Sequence, residues 1–211
     1  SRVRGLGLLF GEKMSGAMAD EITTPGAGQV KAMIVHGGNP VSGIPDQKRI
    51  ADALKSLELL VSIDPEMTTT ARMAHYVLAP KLQYEHPNVV GLFEFETAFH
   101  HQPSQQYGAT LFPCPPGSDL ADDWYIYWAL AKRLGLDIVF DGVPLDMTRR
   151  PDDDELFNVL FRNGNVSFDE IKRHPGGHIF DIVAHVEPAA PDATAKFRVA
   201  DPDVVAEIAE V

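Results

Sequence analysis

Between Val30 and Pro80 the spacing of apolar and polar residues changes several times, and each change marks a different element. Met33-Ile34-Val35 is a short apolar run that predicts a first strand, about Lys31–Val35. The turn Thr24-Pro25-Gly26-Ala27-Gly28 launches it, and Gly37-Gly38-Asn39-Pro40 stops it. Ile50, Ala53, Leu54 and Leu57 then recur at i, i+3, i+4 and i+7, the apolar face of one helix, with Pro45 expected in its first turn. Leu59 to Ile63 is a nearly unbroken apolar run, as expected of a strand covered on both faces, and it ends at Asp64. Thr68-Thr69-Thr70 precedes a short predicted helix, Ala71–Ala74, and Tyr76–Leu78 predicts a third strand. Strand, glycine loop, helix, strand, acid is the order of a parallel α/β crossover, in which ligands lie at the carboxyl ends of the strands.

Outside this block the pattern predicts a short helical segment near Gly16–Ile22 and a long helix over Leu120–Leu134. Ser118 is the expected cap of the long helix and Gly135 its terminator, and Leu120, Trp124, Tyr127, Trp128, Ala131 and Leu134 form its expected apolar face. Pro87, Pro103, Pro113, Pro115 and Pro116 break the stretch between, leaving possible strands at Val89–Phe95 and Tyr107–Phe112. After residue 142 the acids Asp152-Asp153-Asp154-Glu155 open a helix whose apolar face is Leu156, Val159 and Leu160. A second helix is expected over Phe168–His174, with possible edge strands at Ile179–Val183 and Phe197–Val199. The expected fold class is α/β, an open parallel sheet flanked by helices over 1–142, with an irregular Pro-rich insertion and a C-terminal α+β extension over 143–211.

The chain has 211 residues, of which 45% are hydrophobic, so a normal core is expected. A formal charge of -12 argues against nucleic acid or an anionic membrane as partner. No apolar run approaches the roughly 20 residues that a membrane span requires, so no membrane insertion is expected. Cys114 is the only cysteine, which rules out an intrachain disulfide and a thiolate-held cluster built by this chain alone. A reducing, cytoplasmic setting is the expected localisation. The chain starts without Met and stops inside a helical pattern, and the expectation is an excised piece of a longer protein.

Several residues carry possible chemistry. Gly37 and Gly38 let backbone turn sharply and approach a ligand, and the Asn39 amide can donate and accept, although a plain strand-to-helix turn accounts for the same residues. The spacing is not that of the dinucleotide fingerprint G-x-G-x-x-G. Asp64 stands where an acid commonly accepts from a ribose hydroxyl or a base edge, and where Asp also serves as a helix cap. Thr68 and Thr70 with Arg72 bring hydroxyls, amides and a cation to one turn, a phosphate seat or ordinary capping. The eight histidines show no metal-ligand spacing: His174 and His178 flank a Pro-Gly-Gly turn, and His100-His101 diverge in any regular element. No nucleophile elbow is present and Cys114 has no basic neighbour in sequence, so no catalytic residue is expected.

The run from GGNP through SLELLVSIDPEMTTTARMAHYVLAP, followed by YEHPN and DLADDWYIYWALAKRLGL, resembles the molybdopterin oxidoreductases. These form the dimethyl-sulfoxide-reductase superfamily, and the opening GLGLLFGE…MADEITTPGAGQVKAMIV is similar to its formate-dehydrogenase-like branch. The resemblance covers nearly the whole chain and implies the third, Rossmann-like domain, which holds one of two molybdopterin guanine dinucleotides that together chelate molybdenum or tungsten. It places Asn39 at the nucleotide, Ile63 and Asp64 at the guanosine end, His86 at a cofactor-contacting position, and Asp122 near the guanine; Gly37, Gly38, Thr68 and Thr70 complete the candidate cofactor-binding residues from their own chemistry, given above. It implies an iron–sulfur cluster in a part of the parent outside these residues, the remaining parent domains and an electron-transfer subunit as partners, and a lone fragment that is inactive and binds no cofactor by itself. The aromatics of the Pro-rich span Val89–Pro116, Phe93, Phe95, Phe99, Tyr107 and Phe112, have no periodic pattern to bury them, so the fragment is expected to self-associate or to have this span mobile or displaced. Two alternatives from the residues alone are a free-standing nucleotide-binding enzyme such as an NAD-dependent dehydrogenase, and a ligand-free interaction module.

Overall fold

The structure is a computed structural model that describes residues 1–5, 7–8, 12–89, 104–182, 188–194 and 202–209. Its centre is a parallel sheet of three strands, β1 (Ala32–His36), β2 (Leu59–Ile63) and β3 (Tyr76–Leu78), in the order β1-β2-β3. The register pairs His36 with Ile63 and Ile63 with Leu78, so the three strand ends, and the loops that leave them, share one edge. His75 sets the start of β3: its N–H donates to the Leu60 carbonyl at 2.8 Å and its Nδ1 accepts from the Leu60 N–H at 2.9 Å.

One face of the sheet is packed by α1 (Met18–Thr23) and α3 (Gln47–Lys55). Ile22 from α1 and Ile50, Ala53 and Leu54 from α3 close over Val35 and Leu60, all essentially buried. The helical face read from the sequence is therefore the face in the core. Its helix begins later than expected, because Pro40 starts a separate short helix, α2 (Pro40–Gly43), and Pro45 lies in the link. Asp46 then caps α3 by accepting from the Arg49 N–H at 3.2 Å. Glu21 is also buried, held by the Ser1 hydroxyl at 2.6 Å and the Val3 N–H at 3.2 Å; the Ser1 hydrogen bond is the main reason its carboxyl titrates below the usual range.

The other face corrects the expectation of a strand covered on both sides. Ile34, Leu59, Tyr76 and Leu78 are between 38 and 63% exposed. The long helix, α4 (Asp123–Leu134), stands over this face but leaves a cleft of about 770 Å³ between itself and the strands. Ile34, Leu59, Val61 and Tyr76 line it on one side, Tyr125, Ile126 and Leu130 on the other. Accordingly only Trp128 and Ala129 of α4 are buried, and Leu134, expected on the apolar face, is 63% exposed.

α4 also starts three residues later than expected, and Ser118 is not its cap. Residues 119–122 are drawn alongside the end of β3 instead: Lys81 N–H donates to the Ala121 carbonyl at 2.9 Å and Ala121 N–H to the Ala79 carbonyl at 3.3 Å. Gly135 does end the helix, in the left-handed conformation with φ 67° that costs glycine least.

The rest is built of short pieces. β4 (Asn88–Val89) pairs with β6 (Tyr107–Gly108), β5 (Ser104–Gln105) with β9 (His178–Ile179), and β7 (Val139–Phe140) with β8 (Val143–Pro144). The expected strand Tyr107–Phe112 is thus cut to its first two residues, since Leu111 and Phe112 turn their N–H groups to the Tyr84 carbonyl. Most of the possible strand Val89–Phe95, the end of Ile179–Val183 and all of Phe197–Val199 lie outside the described residues. Asp152 caps α5 (Asp153–Phe161) reciprocally with Glu155, and α6 (Phe168–Lys172) follows it. Their Phe161, Phe168 and Ile171 form a second small core, which also takes in Val89 and Tyr107. A last helix, α7 (Pro202–Ala209), is described at the C-terminal end, and among the described residues no helix is long and apolar enough to cross a membrane.

The two faces of β2 predict different responses to truncation. Leu60→Ala, in the closed core, is expected to cost about 2–5 kcal/mol, and Leu59→Ala, on the cleft side, well under half of that. Urea unfolding of both variants checks this; equal losses would mean that the cleft face is as closely packed as the core.

Candidate functional site

Gly37 turns the chain out of β1 with φ 59°, a conformation that strains any residue with a side chain. Its N–H donates to the Ile63 carbonyl at 2.9 Å, so the loop after β1 stays tied to the end of β2. Among the described residues no hydrogen bond occupies the N–H of Gly38 or of Asn39. Asn39 then precedes α2 but does not cap it with its side chain.

The Asn39 amide joins two loops instead. Its Oδ1 accepts from the Thr70 hydroxyl at 2.7 Å and from the Thr70 N–H at 3.2 Å, and its Nδ2 donates to Ser42 Oγ at 3.1 Å. The Thr70 hydroxyl in turn accepts from the Val41 N–H at 3.3 Å, and Thr70 is wholly buried. Thr68 Oγ1 accepts from the Ala71 N–H at 3.1 Å, at the start of a three-residue 3₁₀ turn, Ala71–Met73. Arg72 Nε donates to the Met67 carbonyl at 3.0 Å. The threonine hydroxyls and Arg72 are therefore engaged in shaping the loop after β2, which is the capping alternative for this segment.

Asp64 is 7% exposed at the end of β2. Its N–H donates to the Leu78 carbonyl at 3.2 Å, tying β2 to β3, and its Oδ1 accepts from the Glu66 N–H at 2.9 Å. A carboxylate has about four acceptor positions, so this local turn leaves capacity for a ligand. Ile63, just before it, is buried and is the one predicted site residue that also lines the apolar cleft.

Asp122 is 4% exposed and sits between two cations. Lys81 Nζ lies 2.8 Å from its Oδ1, and Arg150 donates to its Oδ2 at 2.5 Å. Arg150 lies over the Tyr125 and Trp124 rings, at 4.3 and 5.1 Å from their centroids, and Trp124 Nε1 donates to Asp153 at 2.9 Å. Asp122 therefore joins β3, α4 and the start of α5. His86 lies in the turn before β4, with Nδ1 3.0 Å from the Pro87 carbonyl oxygen; no described contact brings it to the strand ends.

Three residues at the same edge escape the sequence patterns. His36, the last residue of β1, places Nδ1 3.1 Å from the Tyr127 hydroxyl and Nε2 3.4 Å from Asp123 Oδ2. Burial, and then the Asp123 charge, raise the Tyr127 phenol above its ordinary value. The one signal available beforehand was the position of His36 directly before the glycines. Among the described residues no group of His, Cys, Asp and Glu is arranged to hold a metal ion.

No protein-family model matches the chain. It is 32% identical over 123 residues to the Probable oxidoreductase YyaE of Bacillus subtilis, a match covering 58% of this chain and 17% of that protein. It is 33% identical over 107 residues to the NADPH-Fe(3+) oxidoreductase subunit alpha of Geobacter sulfurreducens, covering 51% of this chain and 12% of that one. A third relative is the F420-dependent formate dehydrogenase subunit alpha of Methanocaldococcus jannaschii, 31% identical over 121 residues, 57% of this chain and 16% of that subunit. The matched stretch thus spans less than a fifth of each of these relatives. Acetylene hydratase from Pelobacter acetylenicus shares the fold over 78% of this chain and 20% of its own, with a TM-score of 0.58 at 22% identity. The resemblance to the molybdopterin oxidoreductases stands with these findings: the relatives are oxidoreductases, one of them a formate dehydrogenase alpha subunit.

The Asn39–Thr70 contact predicts a loop defect. Asn39→Ala leaves the buried Thr70 hydroxyl and N–H without their acceptor, at a cost of about 1–3 kcal/mol, whereas Ser42→Ala, at the other end of the amide, costs little. Thermal unfolding of the two variants gives the comparison; an unchanged midpoint for Asn39→Ala would show that the loops hold without it.

Proposed function

We propose that this chain is part of a molybdopterin oxidoreductase, formate-dehydrogenase-like in type, and that its strand-end edge receives the guanosine end of one molybdopterin guanine dinucleotide. The observation that carries this is Asp64: a nearly buried carboxylate at the end of the central strand, with one oxygen held by the Glu66 N–H and acceptor capacity left. Nucleotides in open α/β sheets lie in this position. The turn after β1 fits the same ligand, since Gly37 has φ 59° and the N–H groups of Gly38 and Asn39 are unengaged among the described residues.

In this proposal Asp64 accepts from the base or ribose, Ile63 packs beside it, and the N–H groups of Gly38 and Asn39 donate to a phosphate or sugar oxygen. Asn39, Thr68 and Thr70 shape the two loops. Asp122, whose oxygens face Lys81 and Arg150, takes an indirect part by holding those cations at the end of β3, where a dinucleotide's phosphates would meet them. His86 is assigned to the cofactor by resemblance alone. When bound, the paired pterins chelate molybdenum or tungsten and supply the redox centre. An iron–sulfur cluster, further domains, an electron-transfer subunit and a cytoplasmic setting belong to the proposed parent; two of the relatives are themselves named as alpha subunits.

Asp64→Ala in the parent enzyme is expected to lose about 1.5–3 kcal/mol of cofactor binding, the scale of a hydrogen bond to a charged group. Pterin and molybdenum content of the purified variant measures it, and full occupancy would reduce Asp64 to a turn residue. The 211-residue chain alone is expected to reduce no dye with formate. Turnover above blank would mean that it carries a redox centre of its own.

A further inference from the structure

The contact of His36 with Tyr127 and Asp123 joins residues 91 and 87 positions apart, yet both partners sit on one face of α4, a single turn from each other. An imidazole suits that spacing because its two nitrogens project from opposite edges of a rigid ring. Nδ1 shares a hydrogen bond with the Tyr127 hydroxyl, 3.1 Å away, and Nε2 lies 3.4 Å from Asp123 Oδ2, so each ring nitrogen faces one of the two partners. The rings also meet at 5.6 Å between centroids.

The place of this contact gives it a consequence for the strand ends. Toward its start, α4 is held to β3 through the Pro80–Ala121 pairing and through Asp122. Across the sheet, beyond the cleft, His36 is the described polar contact from β1 to the same helix. His36 is bonded directly to Gly37, the residue whose φ of 59° forms the turn. We infer that His36 is a positioning residue: with Tyr127 and Asp123 it latches α4 to the end of β1, closes one side of the apolar cleft, and fixes the distance between the Gly37–Gly38 turn and Asp122. The effect on a nucleotide rests on the function proposed above; the latch itself does not.

The chain's two tryptophans, Trp124 and Trp128, are both on α4, so tryptophan emission reports on this helix and on its contacts with Arg150 and Asp153. Three variants separate the possibilities. His36→Leu removes the hydrogen bond to Tyr127 and the contact with Asp123, Tyr127→Phe removes the hydrogen bond and keeps the ring, and His36→Gln restores a donor and an acceptor at similar spacing. Amide hydrogen exchange over Asp123–Leu134 is expected to quicken about three- to tenfold in His36→Leu and Tyr127→Phe, with a red shift of tryptophan emission, and to return close to the parent rate in His36→Gln. Exchange on α3 is expected to stay unchanged in all three, which distinguishes release of α4 from general unfolding. Unaltered α4 exchange in both His36→Leu and Tyr127→Phe, or no rescue by His36→Gln, would overturn the latch. Pterin content of the parent enzyme forms the second arm, with a lower content expected in His36→Leu; equal content would overturn the effect on the nucleotide site. An unaltered parent without pterin would count against the nucleotide site itself, while the exchange data would still decide the latch.

Discussion

Three parallel strands cannot stand in water on their own, and the constraint on which this chain depends is that β2 is sealed on one face. Leu60 and Val35 meet Ile50, Ala53 and Leu54 there, with Ile22 closing the layer. Each fully buried side chain of this size contributes about 1.5–3 kcal/mol, so the layer is the main source of order in residues 18–63. It also determines which end of the sheet is chemically useful. With α3 behind the strands, the loops after β1 and β2 emerge together at the carboxyl edge, with His36 in register with Ile63.

At that edge, polar groups divide into those that build the loops and those left open. Asn39 and Thr70 are turned toward each other, and leaving either without its partner would strand a buried polar atom. The Thr68 hydroxyl is occupied by a backbone N–H. Asp64 differs because its turn uses one oxygen only. The same edge therefore contains rigid loops and one buried acceptor, which is the combination a nucleotide site requires.

The opposite face of the sheet follows a different logic. α4 makes polar contacts at the strand ends, through Asp122 with its two cations and through His36, and a cleft lies between its Tyr125, Ile126 and Leu130 and the strands. The cleft is about 770 Å³, and Ile34, Leu59 and Leu78 remain partly exposed in it. Parallel sheets are ordinarily covered on both faces. The open face is a local departure from that rule, found where polar contacts hold the helix at the strand ends.

The three strands, the apolar face of α3, the acidic start of α5 and the glycine that ends α4 were all determined by the sequence alone. Each depends on neighbours within a few residues: a run of apolar side chains, a 3.6-residue repeat, a cap or a left-handed turn. The class of fold, and the strand ends as the place to look for chemistry, followed from their order. Only the tertiary structure decided the start of α4, where Asp122 is drawn to Lys81 and to Arg150, 28 residues further on. It alone decided that Asn39 serves Thr70, 31 residues away, and that His36 meets Tyr127, 91 residues away. A polar side chain carries no local mark of its partner. Its use is determined by which backbone the packed core brings within about 3 Å of it, and that distance is a property of the fold.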